Sequence, residues 1–145
     1  MPPCRPRGIM PPMFLAAPQP TPFDLQFSLL GIPVRVSAWF WLGAALLGWG
    51  DCLVLSGGDQ RSLLQHLVIW LVAVFVSLVV HEMGHALAYR AFGQSAHVVL
   101  YHLGGLAIPT PWGGRGARRP SERLVVSAAG PLAQLGLAAA LVAVL

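Results

Sequence analysis

The chain has 145 residues, enough for one domain; 56% are hydrophobic, only 10% are charged, and the net charge is +4. A soluble domain averages about 25% charged residues, so this composition argues against a soluble globular protein and for a membrane protein. All the basic charge is arginine, and it flanks apolar segments instead of interleaving with aromatic platforms, which excludes a nucleic-acid-binding reading and suggests a topology signal.

Residues 1–22 hold eight prolines, Pro2 to Pro22, and neither a helix nor a buried strand survives that density. We read 1–24 as a disordered tail preceding a membrane domain over 25–145. Cys4 and Cys52 lie far apart and form no metal or disulfide framework.

From about Val36 to Leu55 the residues are apolar or small except Asp51. This stretch approaches the roughly 20 residues that span the hydrocarbon core. Trp39, Trp41 and Trp49 lie toward its ends, where amphipathic rings favour the interface. After the turn "SGGDQRS" comes a second span, 63–92, whose continuous apolarity implies burial on every side. "AHVVLYHLGGLAIP" is short and carries Gly104-Gly105, consistent with a hairpin or a re-entrant segment. A basic Pro/Gly-rich loop follows. Residues 124–145 are then apolar or small and read as a third span, which Pro131 should kink or break. The predicted fold is therefore all-α and multi-pass, with three transmembrane helices and a short re-entrant or hairpin segment between the second and third.

Eight of the nine arginines fall before the first span or between the second and third; only Arg61 joins spans one and two. The positive-inside rule then makes the N-terminus cytoplasmic, with the cell membrane as the expected location and lipid as a partner.

The second span ends in "SLVVHEMGHALAYR". Residues four apart share a helix face, so His81 and His85 present two imidazoles at a spacing that fits one zinc ion. Glu82, about 100° round the helix, suits a base at the edge of that site better than a third ligand. With this composition an H-E-x-x-H match arises by chance about 0.2% of the time, low enough to treat it as chemistry. Its place in an apolar span points the same way, because intramembrane ionisable groups cost energy and mark function.

At these residues the sequence resembles the site-2 proteases, intramembrane zinc metalloproteases that include the sporulation-factor protease. "HEMGH" (81–85) is similar to the zinc motif. "LYHLGGLAIP" (100–109) looks like the Gly-Gly segment, "SAAGPLAQLGLA" (127–138) like the Gly-Pro helix, and "LGIPVRVSAWFWL" (30–42) like the entry into the first span. The resemblance covers about 25–145. It implies Zn2+ held by His81 and His85, and Glu82 moving the proton of a zinc-activated water. The implied reaction is endopeptidase hydrolysis in or near a transmembrane segment of a protein substrate. Gly104 and Gly105 would face the substrate path.

One expected part is missing. The resemblance implies a third ligand, an aspartate on a later helix, yet no Asp follows Asp59. Glu122, His97 and His102 are the remaining candidates that could approach the site. The apolar ending "LVAVL" leads us to expect a chain truncated before the ligand. The alternative is a non-catalytic membrane scaffold or pseudoprotease lacking the third metal ligand.

Overall fold

The computed structural model describes residues 21–102, 104–110 and 119–144. Most of the expected disordered tail, and Arg115 and Arg118 of the basic loop, lie outside the described residues. The element order is β1 (Leu25–Leu29), β2 (Ile32–Val36), α1 (Ala38–Ser56), α2 (Gln60–Ala91), β3 (Ala96–Tyr101), β4 (Gly104–Pro109) and α3 (Pro120–Val144).

The expectation of an all-α protein is overturned. A four-stranded mixed sheet, in the order β1-β2-β3-β4, stands beside the three helices, so the fold is mixed α/β. β1 and β2 form a tight hairpin in which Leu29 pairs with Ile32. Its two-residue loop, Leu30 and Gly31, has φ of 52° and 76°. Positive φ at both central residues is the type I′ condition, whose twist matches that of paired strands. β3 and β4 form a second antiparallel hairpin, so of the two readings open for 96–109 the hairpin is the one found. The hairpins join through β2 and β3, which run parallel with Val34 opposite Val98. Parallel neighbours need a long crossover, and here α1 and α2 supply it.

One face of the sheet is apolar. Ile32, Val34, Val36, Ala96, Val98 and Leu100 pack with Val79, Met83 and Ala86 of α2 and Phe40 and Ala44 of α1. Period-two alternation in both strands puts these residues on one side. The sheet is thereby fixed to the C-terminal third of α2, beside the turn that holds the histidines. The Ser37 N–H donates to the Leu100 carbonyl at 2.9 Å, tying the start of α1 to β3.

All three helices are long and apolar enough to cross a membrane. At 32 residues α2 is about 48 Å long, more than the roughly 30 Å hydrocarbon core. Asp59 caps it, accepting from the Ser62 N–H at 2.7 Å. Arg90, in its last turn, donates to the Leu30 carbonyl at 2.8 Å and latches the first hairpin to α2. α1 and α2 meet where Trp70 Nε1–H donates to the Ala44 carbonyl at 2.9 Å. Gly48 makes room for the indole; a Cβ there would clash with its Nε1, Cδ1 and Cε2 atoms. α3 continues as a helix through Pro131 and is not broken there. Pro120 stands at its first position, where the missing N–H costs nothing.

Candidate metal centre

The turn of α2 that carries the motif faces two neighbours at once. His81 and His85 turn toward α3, whereas Glu82 turns toward β4. Their angular offset on the helix thus becomes a division of labour between two packing partners.

The histidine pair is held from behind. His85 Nδ1 lies 2.7 Å from the Val126 carbonyl, and His81 Nδ1 lies 3.0 Å from Gln134 Oε1. A carbonyl oxygen only accepts, so each Nδ1 carries its hydrogen in these bonds. The two Nε2 atoms face each other across 3.2 Å, and a ring with its one hydrogen on Nδ1 presents there a bare lone pair. Two facing lone pairs repel unless a cation, a shared proton or a donating water lies between them. Two nitrogen ligands about 2.05 Å from one tetrahedral zinc stand about 3.3 Å apart. The observed separation, the tautomers and the outer acceptors therefore fit a metal ion held by His81 and His85.

α3 reaches this close because small residues line the seam. A Cβ on Gly84 would stand 2.5 Å from the Ala129 carbonyl oxygen, and one on Gly130 would clash with the His85 imidazole. Pro131 has no N–H for the Ser127 carbonyl one turn back. Immediately before that residue, Val126 offers its own carbonyl to His85.

Glu82 is 6% exposed and lies against the second hairpin. The Ala107 main chain lies beside its carboxylate. Gly105 touches it so closely that a Cβ would be 2.5 Å from Glu82 Cγ and 2.7 Å from Oε1. Among the described residues β4 is the edge of the sheet, and its outer N–H and C=O groups have no neighbouring strand there. Gly104 borders an apolar groove of about 560 Å³ between α1, α2 and the β3–β4 turn, with Trp39, Leu42, Leu46 and Leu78 among its walls. The two adjacent glycines therefore lie between the apolar groove and the carboxylate.

Of the three candidates for a third ligand, none stands with the pair. His97 lines a separate basin near Arg35 and Arg90, and His102 borders the apolar groove. Glu122 accepts from the Arg119 N–H at the start of α3. Among the described residues no group of three His, Cys, Asp or Glu side chains could hold a metal together. Ser77, Gln134, the Val126 carbonyl and the Ala107 main chain were not singled out from the sequence. Gln134 did carry a signal, being a carboxamide inside the apolar run of α3, where polar side chains are rarely idle.

No protein-family description matches the chain, and no solved structure does. The chain is similar to a protein of Synechocystis sp. named as a putative zinc metalloprotease. The two are 35% identical over an alignment 122 positions long that covers 76% of this chain and 29% of that protein. The chain thus spans under a third of its relative's length.

Proposed function

We propose that this chain forms the zinc-binding part of an intramembrane metalloendopeptidase of the site-2 type. The observation that carries the reading is the convergence of His81 and His85 Nε2 at 3.2 Å, within a helix apolar enough to span a membrane. His81 and His85 would hold the ion. Zinc, when bound, supplies Lewis acidity and lowers the pKa of a water to about 7.

The chain's own residues do the rest. Glu82 takes a proton from the attacking water at its carboxylate and later delivers it to the leaving amine nitrogen. The Ala107 main chain and the contact with Gly105 hold that carboxylate in place. The substrate is a transmembrane segment of another protein, admitted along the apolar groove. Locally unwound, it lies as an added strand on the β4 edge, where main-chain hydrogen bonds align it irrespective of side chain. Gly105, lacking a side chain, brings that strand close to Glu82. Arg35, Arg90, Arg119 and Arg123 lie at the end where α1 begins, α2 ends and α3 begins, with Arg61 at the other. This supports a cytoplasmic N-terminus in the cell membrane, with the metal pair in the cytoplasmic half.

A second reading, a non-catalytic scaffold, draws on the lack of a three-residue metal group among the described residues. One experiment separates the two: zinc content and cleavage of a transmembrane reporter substrate, for wild type, His81→Ala and Glu82→Ala in detergent. The protease reading expects zinc in the wild type, its loss in His81→Ala, and its retention in Glu82→Ala. It also expects Glu82→Ala to cleave about 10²–10⁴-fold more slowly. Zinc without cleavage in the wild type would favour the scaffold, and absence of both would sink the protease reading for this chain.

A further inference from the structure

His85 and His81 are oriented by different kinds of group. The acceptor behind His85 is a main-chain carbonyl, which no substitution removes. The acceptor behind His81 is a side chain, Gln134 Oε1, 53 residues away in sequence. We propose that Gln134 is a positioning residue that fixes the tautomer of His81, and that Ser77 holds Gln134 in register for this task. The inference rests on the reading of His81 as a metal ligand.

The carboxamide is used at both ends. Its nitrogen donates to Ser77 Oγ at 2.5 Å while its oxygen faces His81 Nδ1 at 3.0 Å. Ser77, His81 and His85 follow one another at four-residue steps along the face of α2 that meets α3. Val126, Gly130 and Gln134 follow at the same step on α3 in the opposite direction. Each position on one helix is thus matched by a group on the other. Ser77 and Gln134 meet at one end, the His85 ring fills the space above Gly130, and Val126 closes the far end.

Without Gln134 Oε1, nothing on α3 distinguishes the two neutral tautomers of His81. The form with hydrogen on Nε2 cannot ligate, and it would direct that hydrogen at His85 Nε2, turning the pair into an ordinary hydrogen bond. Outer-sphere partners of metal-bound histidines are typically worth 10–100-fold in metal affinity. An apolar residue of similar size at 134 keeps the packing and removes the selection.

The test uses the full chain in detergent micelles, labelled with ¹⁵N-histidine. Ring-nitrogen shifts are recorded on metal-free protein at alkaline pH, where imidazole is neutral. Zinc affinity is measured separately by competition with a chromophoric chelator. The wild type should hold His81 in the Nδ1–H form. Gln134→Leu should populate the Nε2–H form and bind zinc 10–100-fold more weakly. Gln134→Glu keeps an oxygen acceptor at the same reach, so both properties should return toward wild type. Ser77→Ala should give a mixed tautomer and a smaller loss of affinity. An unchanged tautomer in Gln134→Leu would overturn the assignment, as would Gln134→Glu behaving like the leucine variant. The tautomer is read without metal, so it decides the role of Gln134 even if the wild type takes up no zinc. That last result would count against the metalloprotease reading alone.

Discussion

Gly105 and Glu82 are in van der Waals contact, and the contact leaves no room for a methyl group. The nearest atoms to a Cβ at 105 would be Cγ, Oε1 and Cδ of the glutamate, all within 2.8 Å. Gly105→Ala therefore displaces the carboxylate while leaving His81 and His85 on their own face of α2. The expected outcome is a variant with wild-type zinc content and cleavage reduced about 10²-fold, the usual effect of misplacing a reacting group by an ångström. Parallel zinc and cleavage assays would check it; equal loss of both would mean that the hairpin supports the whole centre, not Glu82 alone.

The α2–α3 seam predicts a sharp contrast among glycines. Gly84→Ala meets the Ala129 backbone and should destabilise the protein by about 1–3 kcal/mol through overpacking. Gly50 lies in α1 with open space where its Cβ would be. Gly50→Ala should be neutral or stabilising by up to about 1 kcal/mol, the helix-propensity difference. Thermal unfolding in one detergent, followed by circular dichroism, compares them directly.

The α1–α2 junction makes a separate prediction. Trp70→Phe loses the bond to the Ala44 carbonyl, which polar contacts in membrane proteins place at about 1 kcal/mol. Gly48→Ala forces the indole away altogether and should cost more. If Gly48→Ala unfolded at the same temperature as wild type, the helices would not pack through this pair.

Asp24 supplies a pH dependence outside the three long apolar helices. The Thr21 hydroxyl, 2.5 Å from its carboxylate, and the Thr21 N–H hold its pKa below the ordinary value; Arg35 at 3.7 Å contributes less. A carboxyl with a lowered folded-state pKa adds stability that is complete above its unfolded value, about pH 4, and is lost as pH falls through the folded value. Unfolding midpoints of the wild type should fall with acid through this window. Asp24→Asn should be less stable at neutral pH and lose that part of the acid dependence. Identical pH profiles would remove Asp24 from the account.

The three helices were legible because continuous apolarity over some 20 residues has few other solutions. The observed bounds, 38–56, 60–91 and 120–144, lie close to the expected spans. The shared face of His81 and His85 was legible because four-residue spacing is a property of one helix. β1 and β2 were not. Each has five residues, Pro33 interrupts the second, and Val36 merges into the first span. The alternation of Ile32, Val34 and Val36 was the signal, but it was outweighed by the longer apolar run that follows. The pairing of β2 with β3 and the bond between Gln134 and His81 link residues more than 50 positions apart, and no local pattern encodes such contacts.

The acceptors behind both histidines lie on α3, 41 and 53 residues later in the chain. During synthesis α2 is therefore made, motif and all, before anything exists to orient its imidazoles. At that stage His81 and His85 are two rings on a bare helix, free to choose either tautomer. The centre matures only when α3 arrives and docks. The fold thus contains a delay, and a ribosome-bound chain carries the motif without yet having its geometry.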